Sequence, residues 1–136
     1  MRDTARLASI LTAVPPLRVV GLSLDSADPE TLAQFYLDLL GGKTLWRKES
    51  SVGVRISSGL ALIAHRVPDH QRPAWPGSSI VHLDLAADDE RDLDECVDRA
   101  VELGASVAPM QPGDRWRVLL DPSGHPFCIT TVTPPE

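Results

Sequence analysis

Aromatic residues are scarce in this 136-residue chain: three Trp, two Phe and one Tyr, 4% in all. So few rings leave the core to Leu, Val, Ile and Ala, and an apolar content of 43% is enough to fill one. Cysteine is scarcer still, with only Cys96 and Cys128 and no C-x-x-C or zinc-knuckle spacing. That argues against a disulfide framework, and a reducing cytoplasm is the expected compartment. No run of Lys or Arg occurs, and the net charge is −6. Nucleic acid is therefore not an expected partner, because neutralising phosphates takes a basic patch. A neutral or cationic small ligand suits this balance, although acidity of this size also serves solubility alone. No apolar run is long enough to cross a membrane. The opening MRDTARLASILTAVPP has a minimal apolar run and no A-x-A cleavage pattern. Residues 1–16 are read as an arm or short helix stopped by Pro15 and Pro16.

What is present is a unit written twice. VVGLSLDSADPETLAQFYLDLLGG (19–42) aligns with IVHLDLAADDERDLDECVDRAVELGA (80–105) at a shift of 61. Val20 meets Val81, Gly21 meets His82, Leu22 meets Leu83, Leu24 meets Leu85, and Leu32 meets Leu93. Two extra residues precede the second glycine, so Gly41 meets Gly104. Each copy opens with a strand, 19–25 or 80–86, whose start is β-branched.

A helix follows in each copy. Asp28 is a candidate N-cap with Pro29 at the first helical position. Leu32, Phe35, Tyr36, Leu39 and Leu40 then form one apolar stripe. Leu93, Cys96, Val97, Ala100 and Val101 repeat it, with Asp88 or Asp89 as the cap. Gly41 and Gly104 suit helix C-termini. Three further strands are expected in each copy: 43–49, 52–57 and 60–67, then 106–109, 116–121 and 127–132. Ser58-Gly59 and Pro122-Ser123-Gly124 mark turns.

The domain is thus expected over 17–135, as modules 17–67 and 79–133 joined by a Pro- and Gly-rich linker, 68–78. Its fold class is α+β. A four-stranded sheet with one helix leaves a face open. Two such βαβββ modules packed together give a half-open curled sheet with helices outside and a central cleft.

SADPETLAQFYLDLLGG, HLDLAADD, ELGA and WRVLLDPSGHPFCI resemble the vicinal oxygen chelate superfamily, in its glyoxalase-like branch. That superfamily includes bleomycin-resistance proteins and extradiol dioxygenases. The resemblance spans about residues 17–132. It implies a divalent metal in the cleft of active members, with ligands from the first and last strand of each module. Carried onto this chain, the first-strand positions are Gly21 and His82. The last-strand positions are Cys128, where relatives carry Glu, and His65 or Ile63, which share a strand face.

Glycine has no side-chain donor, and a thiol does not replace a carboxylate as proton-shuttling base. His65, His82 and Cys128 are one candidate set for a divalent ion (Zn, Ni, Mn or Fe), as an open tetrahedral site. The other reading makes His82 a hydrogen-bonding wall residue and Cys128 a small buried apolar one. Asp84 shares a face with His82, either orienting its ring or serving the strand. Trp116 offers a flat wall. Arg55 is read as pointing outward, with a carboxylate clamp as the inward alternative. Trp75 is either a lid or a linker anchor. His125 is assigned to local hydrogen bonding, His70 to the exposed linker and Cys96 to the core. No catalytic residue is assigned.

Three functions follow from the resemblance together with the altered ligand positions. The first is a small-molecule binder or metal-independent enzyme, with antibiotic sequestration as one version. The second is a metal-dependent lyase, isomerase or dioxygenase acting on vicinal oxygens. The third is a dimeric interaction module with a vestigial cleft. A homodimer is expected, because clefts in this superfamily are sometimes assembled across subunits.

Overall fold

The computed structural model of the chain describes residues 17–77, 81–87 and 90–131. The arm at 1–16 and the capping candidates Asp88 and Asp89 lie outside them. The first module holds β1 (Gly21–Ser26), α1 (Pro29–Leu40), β2 (Gly42–Arg47), β3 (Ser51–Ile56) and β4 (Ala61–Arg66). The second holds β5 (Leu83–Ala86), α2 (Glu90–Leu103), β6 (Ser106–Val107), β7 (Trp116–Leu120) and β8 (Pro126–Thr130). Both are the βαβββ unit that the repeat predicts, and the fold is α+β. Their sheet orders correspond, β1-β4-β3-β2 and β5-β8-β7-β6. In each, the first strand pairs parallel with the last, and the remaining pairs are antiparallel. Among the described residues no ladder joins the two sheets, and neither closes into a barrel.

Local signals account for α1. The Asp28 carboxylate accepts from the Thr31 amide at 3.2 Å and from the Thr31 hydroxyl at 2.6 Å. Pro29 follows at the first turn, where its missing N–H costs nothing. Gly41 ends the helix at φ 73° and its amide donates to the Leu37 carbonyl, while Gly104 after α2 has φ 124°. The β6 strand is shorter than the expected 106–109. Beyond it the Ala108 amide still donates to the Val118 carbonyl at 3.0 Å, and the Gln111 side chain adds to that pairing by donating to the Ala108 and Val118 carbonyls and accepting from the Val118 amide.

Strand alternation sorts side chains into a core and an open face. Leu22, Leu24, Val52, Val54, Leu62 and Ala64 join Leu32, Phe35 and Tyr36 of α1 in one apolar cluster. Leu83, Leu85, Leu119, Phe127 and Ile129 of the second sheet join the same cluster with Leu93 and Ala100 of α2. The Phe127 ring lies 5.8 Å from Phe35 and 6.1 Å from Tyr36, so the core is common to both modules. Each large apolar side chain buried there contributes about 1.5–3 kcal/mol. Val101, expected on the α2 stripe, is exposed.

Polar bonds also tie the modules. The Ser26 and Ser123 hydroxyls are 2.8 Å apart. His125 Nε2 lies 2.6 Å from the Asp25 carbonyl, a contact between modules where a local one was expected. His70 is half-buried, not exposed, with Nε2 2.8 Å from the Ser123 carbonyl.

Candidate functional site

The chemistry-bearing residues of the second module sit on the open face of its sheet. Asp84 of β5 is opposite Cys128 of β8, and Cys128 is opposite Val118 of β7. Thr130, two residues on from Cys128, is opposite Trp116. His82 lies two residues before Asp84 and so shares its face. These positions line a hollow of about 370 Å³ formed by His82, Asp84, Trp116, Cys128 and Thr130. Thr130 was not foreseen as a wall residue, although the period of two from Cys128 signals it.

Within the hollow, His82 Nδ1 lies 3.3 Å from Asp84 Oδ1 and 3.8 Å from Cys128 Sγ. The donor atoms of His82, Asp84 and Cys128 all fall within 4.8 Å of one another. Cys128 is buried, while His82 and Asp84 face solvent. Burial pushes the Cys128 thiol up to about 11, and the charge of Asp84 and its hydrogen bond add to the effect. Trp75 from the linker anchors on the same face, against Ala108, Val118 and Cys128. Its ring stands edge-on to His82, 5.8 Å away at 81°. The indole N–H of Trp75 is buried without a partner among the described residues.

The remaining candidates are elsewhere. His65, the last residue but one of β4, is opposite Asp25 and Ser51, and it lines a different hollow with Glu49, Ser50, Arg66 and Pro68. Among the described residues the donors that converge with His82 and Cys128 include Asp84 and not His65. A side chain at Gly21 would meet the Ala61 carbonyl at 3.1 Å and Ile63 Cδ1 at 3.3 Å, so Ile63 fills that space. Arg55 is exposed and donates to the Gly59 carbonyl at 2.9 Å. The Trp46 indole donates to Ser51 Oγ at 2.9 Å. A further hollow near Leu39, Leu40, Leu85 and Cys96 is as large, but no two His or Cys donors meet there.

A family model described as a glyoxalase-like domain matches residues 21–130, from the first residue of β1 to the last of β8. The chain belongs to the glyoxalase-like domain family. The resemblance drawn from the DPSGHPFC and ADPETLAQFY stretches therefore holds. Solved structures agree on the fold. The fosfomycin resistance protein FosX from Listeria monocytogenes superposes with a TM-score of 0.65 at 16% identity, over 88% of this chain and 93% of its own. A mutant of FosX complexed with Mn(II) and 1S,2S-dihydroxypropylphosphonic acid gives 0.64 at 16% identity, over 85% and 90%. A glyoxalase/bleomycin resistance protein/dioxygenase family enzyme from Burkholderia phytofirmans PsJN gives 0.63 at 19% identity, over 83% and 97%. At such identities the likeness is one of fold alone. No curated protein matches the chain.

The family resemblance implies a divalent metal in the cleft of active relatives, and the donors present here can be set against that expectation. Gly21 supplies none, and His65 faces another hollow. His82, Asp84 and Cys128 do converge, as an imidazole, a carboxylate and a thiol. That set suits a borderline-soft divalent ion better than an ion preferring oxygen alone.

Proposed function

We propose that this glyoxalase-like protein binds a small organic molecule in the hollow on the open face of its second sheet. The observation that carries the reading is the wall itself: the part-exposed Trp116 lines one hollow together with His82 and with Thr130, its ladder partner. A flat apolar surface with a few convergent polar groups is the usual composition of a ligand site. Antibiotic sequestration is one version, supported by the resistance proteins that share the fold.

A second copy of the chain completes the site in this reading. Its support is that β1 and β5 end their sheets, and the segments leading into them expose apolar side chains. Leu17, Val19, Val20 and Val81 are 66–87% exposed. An apolar, unpaired sheet edge favours association. The proposed compartment is the cytoplasm, supported by two cysteines that no disulfide joins.

The test is a thermal-shift screen of aromatic, thiol-conjugate and peptide-antibiotic compounds. A specific ligand at a hundred times its Kd adds about 2.7 kcal/mol of stability. Trp116→Ala removes that gain in this reading. A screen without hits, or hits indifferent to Trp116→Ala, overturns it in favour of an interaction module. The metal-dependent alternative draws on the convergence of His82, Asp84 and Cys128.

A further inference from the structure

We propose that His82, Asp84 and Cys128 form a mixed imidazole–carboxylate–thiolate site for a zinc-class divalent ion, built within the second module alone. This deepens the reading of the hollow as a binding site, and it can be tested without any organic ligand.

The spacing of the donors carries the argument. Nδ1 of His82 and Oδ1 of Asp84 are 3.3 Å apart, and Nδ1 and Cys128 Sγ are 3.8 Å apart. Bonds of about 2.0–2.1 Å to nitrogen and oxygen and about 2.3 Å to sulfur fix the edges of a tetrahedron. Those edges come to about 3.3 Å for N···O and about 3.6 Å for N···S. The two edges that meet at Nδ1 already stand within a few tenths of an ångström of that arrangement, and the third, from Asp84 to Cys128 Sγ, is within 4.8 Å.

The direction of the contacts points the same way. A nucleophile–base–orienter relay uses the two different ring nitrogens of its histidine. Here the thiol and the carboxylate both address Nδ1. The Asp84 carboxylate and Cys128 Sγ also lie within 4.8 Å of each other. The three donors therefore close a triangle around one point instead of lying in line.

The scaffold holds this triangle by register. Asp84 and Cys128 are partners in the β5–β8 ladder, and His82 stands one residue ahead of β5, two before Asp84. Trp75 buttresses the imidazole edge-on. The fourth position opens on the hollow with Trp116 and Thr130, as in zinc sites that keep room for water or a ligand. Asp84 stands outside the four positions that the family resemblance implies, and Gly21 and His65 take no part. A thiolate among the donors selects softer ions than an all-oxygen-and-nitrogen set.

The experiment is a Co(II) titration of the full, reduced chain, followed by absorbance and then by displacement with Zn(II). Saturation at one equivalent is expected, with a thiolate-to-Co(II) charge-transfer band and the intense visible bands of tetrahedral Co(II). Cys128→Ser abolishes the charge-transfer band, whereas Cys96→Ser leaves it in place. Asp84→Asn and His82→Ala each weaken Zn(II) at least ~tenfold, in line with loss of a ligand. Circular dichroism of each variant separates lost donors from lost fold.

The wild-type titration decides the matter even if a variant misfolds. No charge-transfer band, weak unsaturable uptake, or a band that follows Cys96 overturns the site, as does an Asp84→Asn variant of undiminished affinity. A metal-binding chain without organic ligands sinks only the proposal of the preceding subsection. A ligand-binding chain without metal sinks only this one.

Discussion

Tyr36 of the first module donates its phenolic hydrogen to Asp121 of the second at 2.7 Å, both side chains fully buried. The same carboxylate accepts the amides of Ser123 at 2.9 Å and His125 at 3.0 Å. Burial raises the Asp121 carboxyl against the opposing pull of these bonds and of His125. Burial also pushes the Tyr36 phenol up, and the neighbouring carboxylate adds to it. Tyr36→Phe should cost about 1–3 kcal/mol by leaving a buried oxygen unmatched. Asp121→Ala should cost more, because three donors lose their acceptor. Urea unfolding of both variants measures this, and equal, negligible losses would contradict it.

The pH dependence has a definite sign. A carboxyl whose folded pKa lies above its unfolded value stabilises fully below the unfolded value and loses that contribution as pH rises through the folded one. Asp121→Asn cannot ionise. The advantage of wild type over Asp121→Asn is therefore expected to be largest in acid and to shrink as pH rises toward neutrality. Parallel melts of the two proteins across that range check it, and a gap that widens with pH would show the opposite shift.

The repeat was legible because both modules reuse one hydrophobic pattern, and the caps at Asp28, Gly41 and Gly104 are local chemistry. Asp121, Ser123 and Ser26 were not legible as a seam, since the turn signal of Pro122-Ser123-Gly124 says nothing of what lies across it. The site was half legible. Period-two alternation placed His82 and Asp84 on one face, while Cys128 joined them through the family resemblance, because alternation within a strand says nothing of which residue lies across from it. His65 went elsewhere because the repeat fixes a residue's place within its own sheet but not how one sheet stands to the other.

Trp75 offers a contrast between packing and polar satisfaction. Its ring covers Ala108, Val118 and Cys128, but its N–H meets no acceptor among the described residues. Trp75→Phe keeps most of the apolar contact and removes the unmatched donor, so stability should hold or rise by up to about 1 kcal/mol. Trp75→Ala should cost about 2–3 kcal/mol, because the satellite cluster is opened. Denaturant midpoints rank the three proteins. A Phe variant as weak as the Ala variant would mean that the indole N–H has a partner.

Cys128 should be a slow nucleophile in the metal-free chain. Its thiol is held up at about 11, against about 8.5 for an ordinary cysteine. Near pH 8 the thiolate fraction, and with it the rate of iodoacetamide alkylation, should be on the order of a hundredfold lower. A Cys96→Ser background isolates the reaction. Asp84→Asn removes the lesser two causes and should speed alkylation, while burial continues to hold it below the free thiol. Mass spectrometry of timed samples reads this out. Alkylation as fast as that of free cysteine would show an accessible, ordinary thiol.

The last prediction concerns the sheet edges. Val20 and Val81 occupy equivalent places in the repeat, each just ahead of the edge strand of its sheet. They are 66% and 75% exposed. An equivalent pair of apolar edges suits a two-fold association, in which one copy presents the β1 edge where the other presents β5. Lysine on an edge is a standing obstacle to such pairing. Val20→Lys combined with Val81→Lys should convert a dimer to a monomer in analytical ultracentrifugation while leaving the far-ultraviolet circular dichroism unchanged. Neither residue lies in the core or lines the hollow, so folding should not suffer. If the hollow is completed by the partner copy, the monomeric variant should also lose affinity for any ligand that the screen finds. A wild-type chain that sediments as a monomer at screening concentrations, yet binds that ligand fully, would show that one copy suffices.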